Sequence, residues 1–172
     1  LATGKRLLAA VALVATVLSS FAQNTTNSPP PAPRRPSILL IVADDLGYGD
    51  LGCYGQTKIQ TPNLDRMAAD GLRFTSFYAG SPVCAPSRAA LMLGQHPGHL
   101  NIRGNARNAV LQPEDTTIAQ VLRQAGYKTC LLGKWGLSTE GMSGLPQEKG
   151  FEQFAGYLDN QHAHDYYPDY NY

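Results

Sequence analysis

The run Ile38-Leu39-Leu40-Ile41-Val42 is apolar at every position and is followed, after one alanine, by the adjacent carboxylates Asp44 and Asp45. A strand with one face in water alternates apolar and polar residues. A run without alternation predicts a strand buried on both faces, the pattern of a parallel sheet. Asp44-Asp45-Leu46-Gly47-Tyr48-Gly49-Asp50 then reads as a Gly- and Asp-rich loop. In open α/β sheets, ligands sit at this position, off the carboxyl end of a strand.

The elements that follow keep to that scheme. Thr61-Pro62 opens a predicted helix with Leu64, Met67 and Ala68 at i, i+3 and i+4, stopped by Gly71. Residues 72–78 read as a second strand. Residues 84–93 read as a helix, with Pro86 tolerated in its first turn and Gly94 ending it. The clearest helix is 116–125, where Ile118, Val121, Leu122 and Ala125 form one stripe and Gly126 closes it. Residues 129–132 give a further short strand that runs into Gly133-Lys134-Trp135. Strands alternate with helices and no internal repeat is present, so the fold class is α/β.

With 172 residues, 43% of them hydrophobic, the chain can bury one sizeable core. Its net charge of +1 gives no reason to expect a nucleic acid or an anionic membrane as partner. The first residues differ in kind. Lys5 and Arg6 precede an apolar run over 7–18 interrupted only by Thr16, and Ser20-Phe21-Ala22 offers a small-x-small cleavage site. This is the layout of a secretory signal peptide, and the run is too short to favour a stable membrane anchor. The alternative is a buried N-terminal helix or an uncleaved anchor. Cleavage after residue 22 would remove two cations and no acids, taking the net charge from +1 to −1. Residues 24–36, with five prolines, read as a semi-extended linker. The expected location is therefore outside the cytoplasm, periplasmic or extracellular. Cys53, Cys84 and Cys130 make an odd set, so at least one lacks an intrachain partner, and Cys53 and Cys130 are candidates for a pair. No cysteine near the cleavage site suggests a lipid anchor. The chain begins with Leu1 and stops at Tyr172 without a terminal signal, which reads as a fragment.

Four groups of residues can carry chemistry. Adjacent carboxylates repel, so burying Asp44 with Asp45 calls for a cation or strong donors, and a hard divalent ion such as Ca²⁺ or Mg²⁺ takes such oxygens. A solvated turn or helix cap is the plainer reading. Cys84 stands at a predicted helix N-terminus with Arg88 one turn on. The dipole and the guanidinium both favour an anion there, and the arginine's fork of donors suits a tetrahedral oxyanion. Alternatively, Cys84 is a small buried hydrophobe beside a surface arginine. Lys134 ends a predicted strand on the same rim of the sheet as Asp44 and Asp45, where a solvated lysine is also common. Finally, residues 161–172 crowd His162, His164 and several tyrosines into a polar-aromatic stretch.

Taken together these segments resemble the N-terminal part of a type I sulfatase, in the alkaline-phosphatase-like superfamily. The likeness runs from about residue 36 to at least 157. It rests on the opening run with Asp44-Asp45, on Thr61-Pro62-Asn63-Leu64-Asp65, and on Pro82-Val83-Cys84-Ala85-Pro86-Ser87-Arg88-Ala89-Ala90-Leu91-Met92. Gly126-Tyr127-Lys128-Thr129, Gly133-Lys134-Trp135 and Gly150-Phe151 complete it. The Cys-x-Pro-Ser-Arg segment in this company is highly specific. The resemblance implies a mostly parallel sheet flanked by helices, present here in part. The organisation expected is a signal peptide over 1–22, a linker over 23–36, and the N-terminal part of a catalytic domain over 37–172.

The resemblance also implies roles. Cys84 would be converted to formylglycine, an aldehyde whose hydrate carries two hydroxyls on one carbon. One hydroxyl would attack sulfur and expel the alcohol. Loss of the proton from the other would then release sulfate and restore the aldehyde, an exit that a serine lacks. Asp44, Asp45 and the modified Cys84 would bind Ca²⁺ (or Mg²⁺), Arg88 would orient the modified residue, and Lys134 would hold sulfate oxygens. The substrate would be a sulfated small molecule or glycan. A formylglycine-generating (sulfatase-maturing) enzyme would be a partner, with Pro86 and Arg88 in its recognition segment.

Two positions depart from the pattern. Many sulfatases carry His after Gly-Lys-Trp, where this chain has Gly136, and a small residue, often Thr, at the position of Leu93. Gly136 leaves a proton donor unassigned. His162 or His164 would fill that role as a substrate-binding residue, or both lie in a solvent-facing loop. The remaining metal ligands and a second substrate lysine would come from later in the family's sequence, so the 172 residues are expected to be inactive alone. The alternatives to a sulfatase are a phosphomonoester, phosphodiester or phosphonate hydrolase of the same superfamily, and a secreted protein that binds sulfated glycans without turnover.

Overall fold

A computed structural model of the chain describes residues 35–172. The predicted signal peptide, 1–22, and most of the predicted linker, 23–36, lie outside the described residues. The chain divides into two compact units, one ending at Val42 and the other comprising Ala43–Tyr172. In the first, residues 35–42 form no strand, and the apolar run predicted as a doubly buried strand is exposed, Leu39 at 83%. The predicted strand at 72–78 is likewise irregular, with Phe77 74% exposed. The physical reason is common to both. A strand buried on two faces needs ladder neighbours as well as helical cover, and the sheet among the described residues contains two strands, neither of them these.

The second unit carries three helices and that sheet. Helix α1, Pro62–Asp70, begins with proline in its first turn and stops at Gly71. Its entry is tied down by Asp65, whose Oδ1 accepts from the Cys53 amide (2.6 Å) and from Thr61 Oγ1 (3.0 Å). Helix α2, Cys84–Leu93, has the predicted limits. Val83 is its N-cap, and Gly94, at φ +62°, closes it by donating to the Ala90 carbonyl. Helix α3, Ile118–Gln124, opens with a capping box. Thr117 Oγ1 accepts from the Gln120 amide, and the Gln120 side chain accepts from the Thr117 amide.

Strand β1, Cys130–Lys134, pairs in parallel with β2, Gln153–Tyr157, in the register Cys130↔Gln153 through Lys134↔Tyr157. β2 went unpredicted because it is short and carries Gly156 near its end. That glycine is required. A Cβ there would stand 2.1 Å from the Gly133 carbonyl oxygen across the ladder, and φ is +147°.

The core forms where α2 meets the end of β1. Ala85, Ala89 and Met92 of α2 pack with Leu100, Ile102, Leu111, Trp135, Leu137 and Leu158. Trp135 is 2% exposed, donates from Nε1 to the Gly144 carbonyl at 2.9 Å, and meets Phe151 edge-on at 5.7 Å. Removing such a ring costs about 3–5 kcal/mol. Lys149 is the unusual core member. Buried to 1%, it donates to the carbonyls of Gln112, Pro113 and Asp115, and so fastens the turn before α3. All three cysteines are free thiols, so Cys53 and Cys130 do not form the pair considered from the sequence.

The exposed apolar stretches have a measurable consequence. We predict that residues 35–172, expressed alone, bind a hydrophobic dye strongly and show no sharp thermal transition. A cooperative melt without dye binding would overturn this.

Candidate active site

Cys84 and Arg88 are the first and fifth residues of α2 and so lie one turn apart on one face. Ala85 and Ala89, one position on from each, turn that helix into the core. The fold brings Lys134, distant in sequence, to the same place. The β1–β2 ladder runs on past Lys134, with the Trp135 amide donating to the Tyr157 carbonyl (2.8 Å) and that of Gly136 to Leu158 (3.0 Å). The buried Trp135 therefore fixes the lysine next to it.

Asp44 is where the two cations meet. Lys134 Nζ donates to Asp44 Oδ2 at 2.9 Å, and Arg88 NH2 stands 3.5 Å from Oδ1. Arg88 NH1 also donates to the Lys134 carbonyl at 2.6 Å, locking the guanidinium to the end of β1. The cations are largely sheltered, Arg88 at 16% and Lys134 at 10% exposure, whereas Asp44 is 46% exposed. The hydrogen bond from Lys134 holds the Asp44 carboxyl below its ordinary value of 3.8. Attraction to Lys134 and Arg88 adds to it, and together they outweigh the desolvation that opposes ionisation. At neutral pH the group is an ionised carboxylate with a positively charged wall beside it.

Asp45 turns the backbone sharply, with φ +55°, the left-handed region that Asp tolerates better than most side chains. Cys84 is half-buried, and the amide of Ala85 beside it donates to Asn105 Oδ1 at 2.9 Å. Among the described residues, no three His, Cys, Asp or Glu side chains come together to hold a metal ion. Asp44, Asp45 and Cys84 thus do not by themselves form a closed metal centre, because Asp44 is turned to Arg88 and Lys134. The donors nonetheless fit a hard divalent cation in kind. They are carboxylate oxygens, one of them held ionised, and about six to eight oxygens are needed in all for calcium. They suit part of a coordination set.

His162 and His164 part company. His162 lies among Tyr157, Tyr170 and Tyr172, with Nε2 3.1 Å from the Tyr170 carbonyl, and its buried Nδ1 has no partner among the described residues. Through Tyr157, the register partner of Lys134, it stands at the same end of the sheet as the cations. His164 is exposed. Tyr172 donates to Glu140 Oε2, and its phenol is pushed well above its usual range, first by hydrogen bonding with Tyr170, then by burial and by Glu140.

The structure adds residues that the sequence did not point to. Gly136 has φ +72°, and a Cβ on it would stand 2.7 Å from Asn160 Oδ1 and 3.3 Å from Arg88 Cδ. A side chain there would be strained and would displace Asn160, which suits glycine at the position where many sulfatases carry histidine. Asn160 fills the space instead. Among the described residues its Oδ1 and the Nε of Arg88 are both buried without a partner. Asn105, Arg107, Gly136, Asp159 and Asn160 border a cleft of about 180 Å³ beside these groups. Polar residues scattered through loops carry no periodicity by which a sequence could gather them.

These features define a polar site at the rim of an α/β sheet, where two cations meet one carboxylate and one of them, Arg88, lies a helical turn from a helix-start cysteine. A family model described as Sulfatase matches residues 36–172, and the chain belongs to the sulfatase family. It is similar to steryl-sulfatase of Mus musculus, 44% identical over 140 residues (73% of this chain, 22% of that protein). It is also similar to arylsulfatase A of Homo sapiens, 49% identical over 133 residues (72% and 25%). N-acetylgalactosamine-6-sulfatase of Sus scrofa is 42% identical over 151 residues (81% and 28%). The chain spans about a quarter of the length of these curated relatives. Among solved structures, the crystal structure of Ps i-CgsB is 37% identical with a TM-score of 0.66, covering 74% of this chain and 29% of that one. The structure of BT4656 in complex with its substrate D-glucosamine-2-N,6-O-disulfate is 36% identical, also with a TM-score of 0.66, covering 78% and 25%. The fold is accordingly α/β and alkaline-phosphatase-like, present here in part.

Proposed function

We propose that the protein to which this chain belongs hydrolyses a sulfate monoester at Cys84, after conversion of that residue to formylglycine. One observation carries the reading most. Lys134 and Arg88 converge on Asp44 within 2.9 and 3.5 Å, one helical turn from Cys84. Two sheltered cations beside one carboxylate leave positive charge to spare for a tetrahedral anion. The formylglycine supplies a nucleophilic hydroxyl on a carbon that can later release its sulfate. Asp44 and Asp45 would hold Ca²⁺, or Mg²⁺, with the modified Cys84 as a further ligand, and the ion would supply Lewis-acid assistance. Lys134 binds a sulfate oxygen. Arg88, one helical turn after residue 84 and tied to the Lys134 carbonyl, would orient the modified residue. His162 and His164 remain candidates for contact with the ester.

Residues 37–172 would then be the N-terminal part of the catalytic domain, behind a signal peptide over 1–22 and a linker over 23–36. The protein would be exported to the periplasm or beyond the cell and modified at Cys84 by a formylglycine-generating enzyme before it folds. No helix among the described residues is long and apolar enough to cross a membrane.

The test is made on the parent protein from its native host. Mass spectrometry of the peptide around Cys84 is expected to find the aldehyde. Release of sulfate from a sulfate monoester is expected to exceed release of phosphate from the matching phosphate. Chelation of divalent cations should abolish turnover and lower the melting temperature, and Ca²⁺ should restore both. An unmodified thiol in the folded, exported protein would sink the mechanism in favour of binding without turnover. Faster phosphate release would point to a phosphoesterase.

A further inference from the structure

The cleft beside the candidate active site has its own chemical character. It occupies about 180 Å³ and is bordered by Asn105, Arg107, Gly136, Asp159, Asn160 and Gln161, together with small residues. A hollow holding a single water needs only about 10–15 Å³ on the same measure. No aromatic or large aliphatic side chain borders it. Sites for flat or apolar ligands are lined mainly by such side chains, with few polar groups. This one offers the reverse, a guanidinium, a carboxylate and three carboxamides around a small hollow.

Its position ties it to the reacting centre at two points. Asn105 accepts the hydrogen bond of the Ala85 amide, next to Cys84, at 2.9 Å. Gly136 packs against the Cδ of Arg88 and leaves room for Asn160 to stand between the helix and the cleft. Asn160 Oδ1 is buried with no partner among the described residues, an acceptor whose desolvation they do not offset. Arg107 is exposed at the cleft, whereas Arg88 is held by Asp44 and Lys134. A group esterified to a sulfate held by Lys134 beside residue 84 would therefore meet hydrogen-bonding groups of both signs.

We propose that this cleft holds the alcohol half of the ester, and that it takes a monosaccharide ring in preference to an aryl or steryl group, with Arg107 and Asn160 as the residues that touch it. A pyranose presents hydroxyls around its whole edge, each both donor and acceptor, and the mixed lining of carboxylate, guanidinium and carboxamides matches that pattern. An aryl or steryl ring would desolvate the same groups and return no hydrogen bonds. This inference rests on the sulfatase reading above and adds the substrate class and the residues that select it.

The experiment uses the full-length parent protein and two kinds of probe, 4-methylumbelliferyl sulfate and a panel of the singly O-sulfated hexoses and N-acetylhexosamines. The expected result is that kcat/KM for at least one sugar sulfate exceeds that for the aryl sulfate at least tenfold. Arg107→Ala should reduce that ratio by tenfold or more. Because Arg107 is exposed, this variant is not expected to disturb folding, and Asn160→Ala gives a second measurement. Preference for the aryl sulfate over every sugar overturns the proposal. So does a ratio that stays within twofold of the parent value in both variants. Absence of turnover on every sulfate ester removes the sulfatase reading itself, and the cleft assignment with it. That outcome is distinct from aryl preference.

Discussion

Replacing Cys84 with alanine in the parent protein is expected to lower sulfate-ester turnover by roughly 10⁴-fold or more, the size of loss seen when a covalent nucleophile is removed. The fold should barely notice. Cys84 is half-buried and its thiol is free, and the core contacts of α2 come from Ala85, Ala89 and Met92. A stability change within about 1 kcal/mol is therefore expected, and the loss of rate can be read as chemistry. Cys84→Ser sharpens the test. A serine hydroxyl can take a sulfuryl group once but has no second hydroxyl on its carbon with which to expel it. The serine variant is expected to show a single stoichiometric transfer by mass and no turnover. If either variant keeps activity within tenfold of the parent, the nucleophile lies elsewhere.

What the sequence revealed and what it hid divide along a physical line. Helix α2 could be read to its limits, Cys84 to Leu93, because its start and its stop at Gly94 are local signals. Helix α3 is legible in kind, but it spans Ile118–Gln124 and not 116–125, and the expected stripe is no buried face, since Ile118 and Val121 are exposed and Ala119 is the buried residue. Strand β1 lies within two residues of its expected span. The apolar run at 38–42 and the segment 72–78 fail as strands because a strand is completed by neighbours that no local pattern can supply. β2 was missed for the converse reason. Its five residues, with Gly156 among them, carry little signal of their own, and what makes them a strand is β1 alongside.

The candidate site shows the same division. Asp44, Arg88 and Lys134 could each be picked out by a motif, and the fold does bring them together. Their mutual geometry could not be foreseen, nor could the locking of Arg88 onto the Lys134 carbonyl, which joins positions 46 residues apart. Asn160 and Asn105 gave no signal at all. The role of Gly136 depends on Asn160, which stands in the space a side chain would need. In sequence the glycine read as a lost proton donor. In the structure it is the condition for a carboxamide beside Arg88.

Lys134 carries the second large effect. Its side chain is 10% exposed, with Nζ 2.9 Å from Asp44, at the end of a strand whose next residue is the buried Trp135. A charge so placed has little freedom, so it can meet a sulfate oxygen without reorganising, the condition under which a single donor matters most. Lys134→Ala is expected to lower kcat/KM by about 10²–10³ and to weaken inhibition by inorganic sulfate in step. Lys134→Arg should restore little. A planar guanidinium is longer and would crowd the Arg88 that already binds the Lys134 carbonyl. The parallel loss of sulfate inhibition is the decisive reading. If activity falls while sulfate still inhibits as before, Lys134 serves to hold Asp44 in place, and the anion is bound by Arg88 without it.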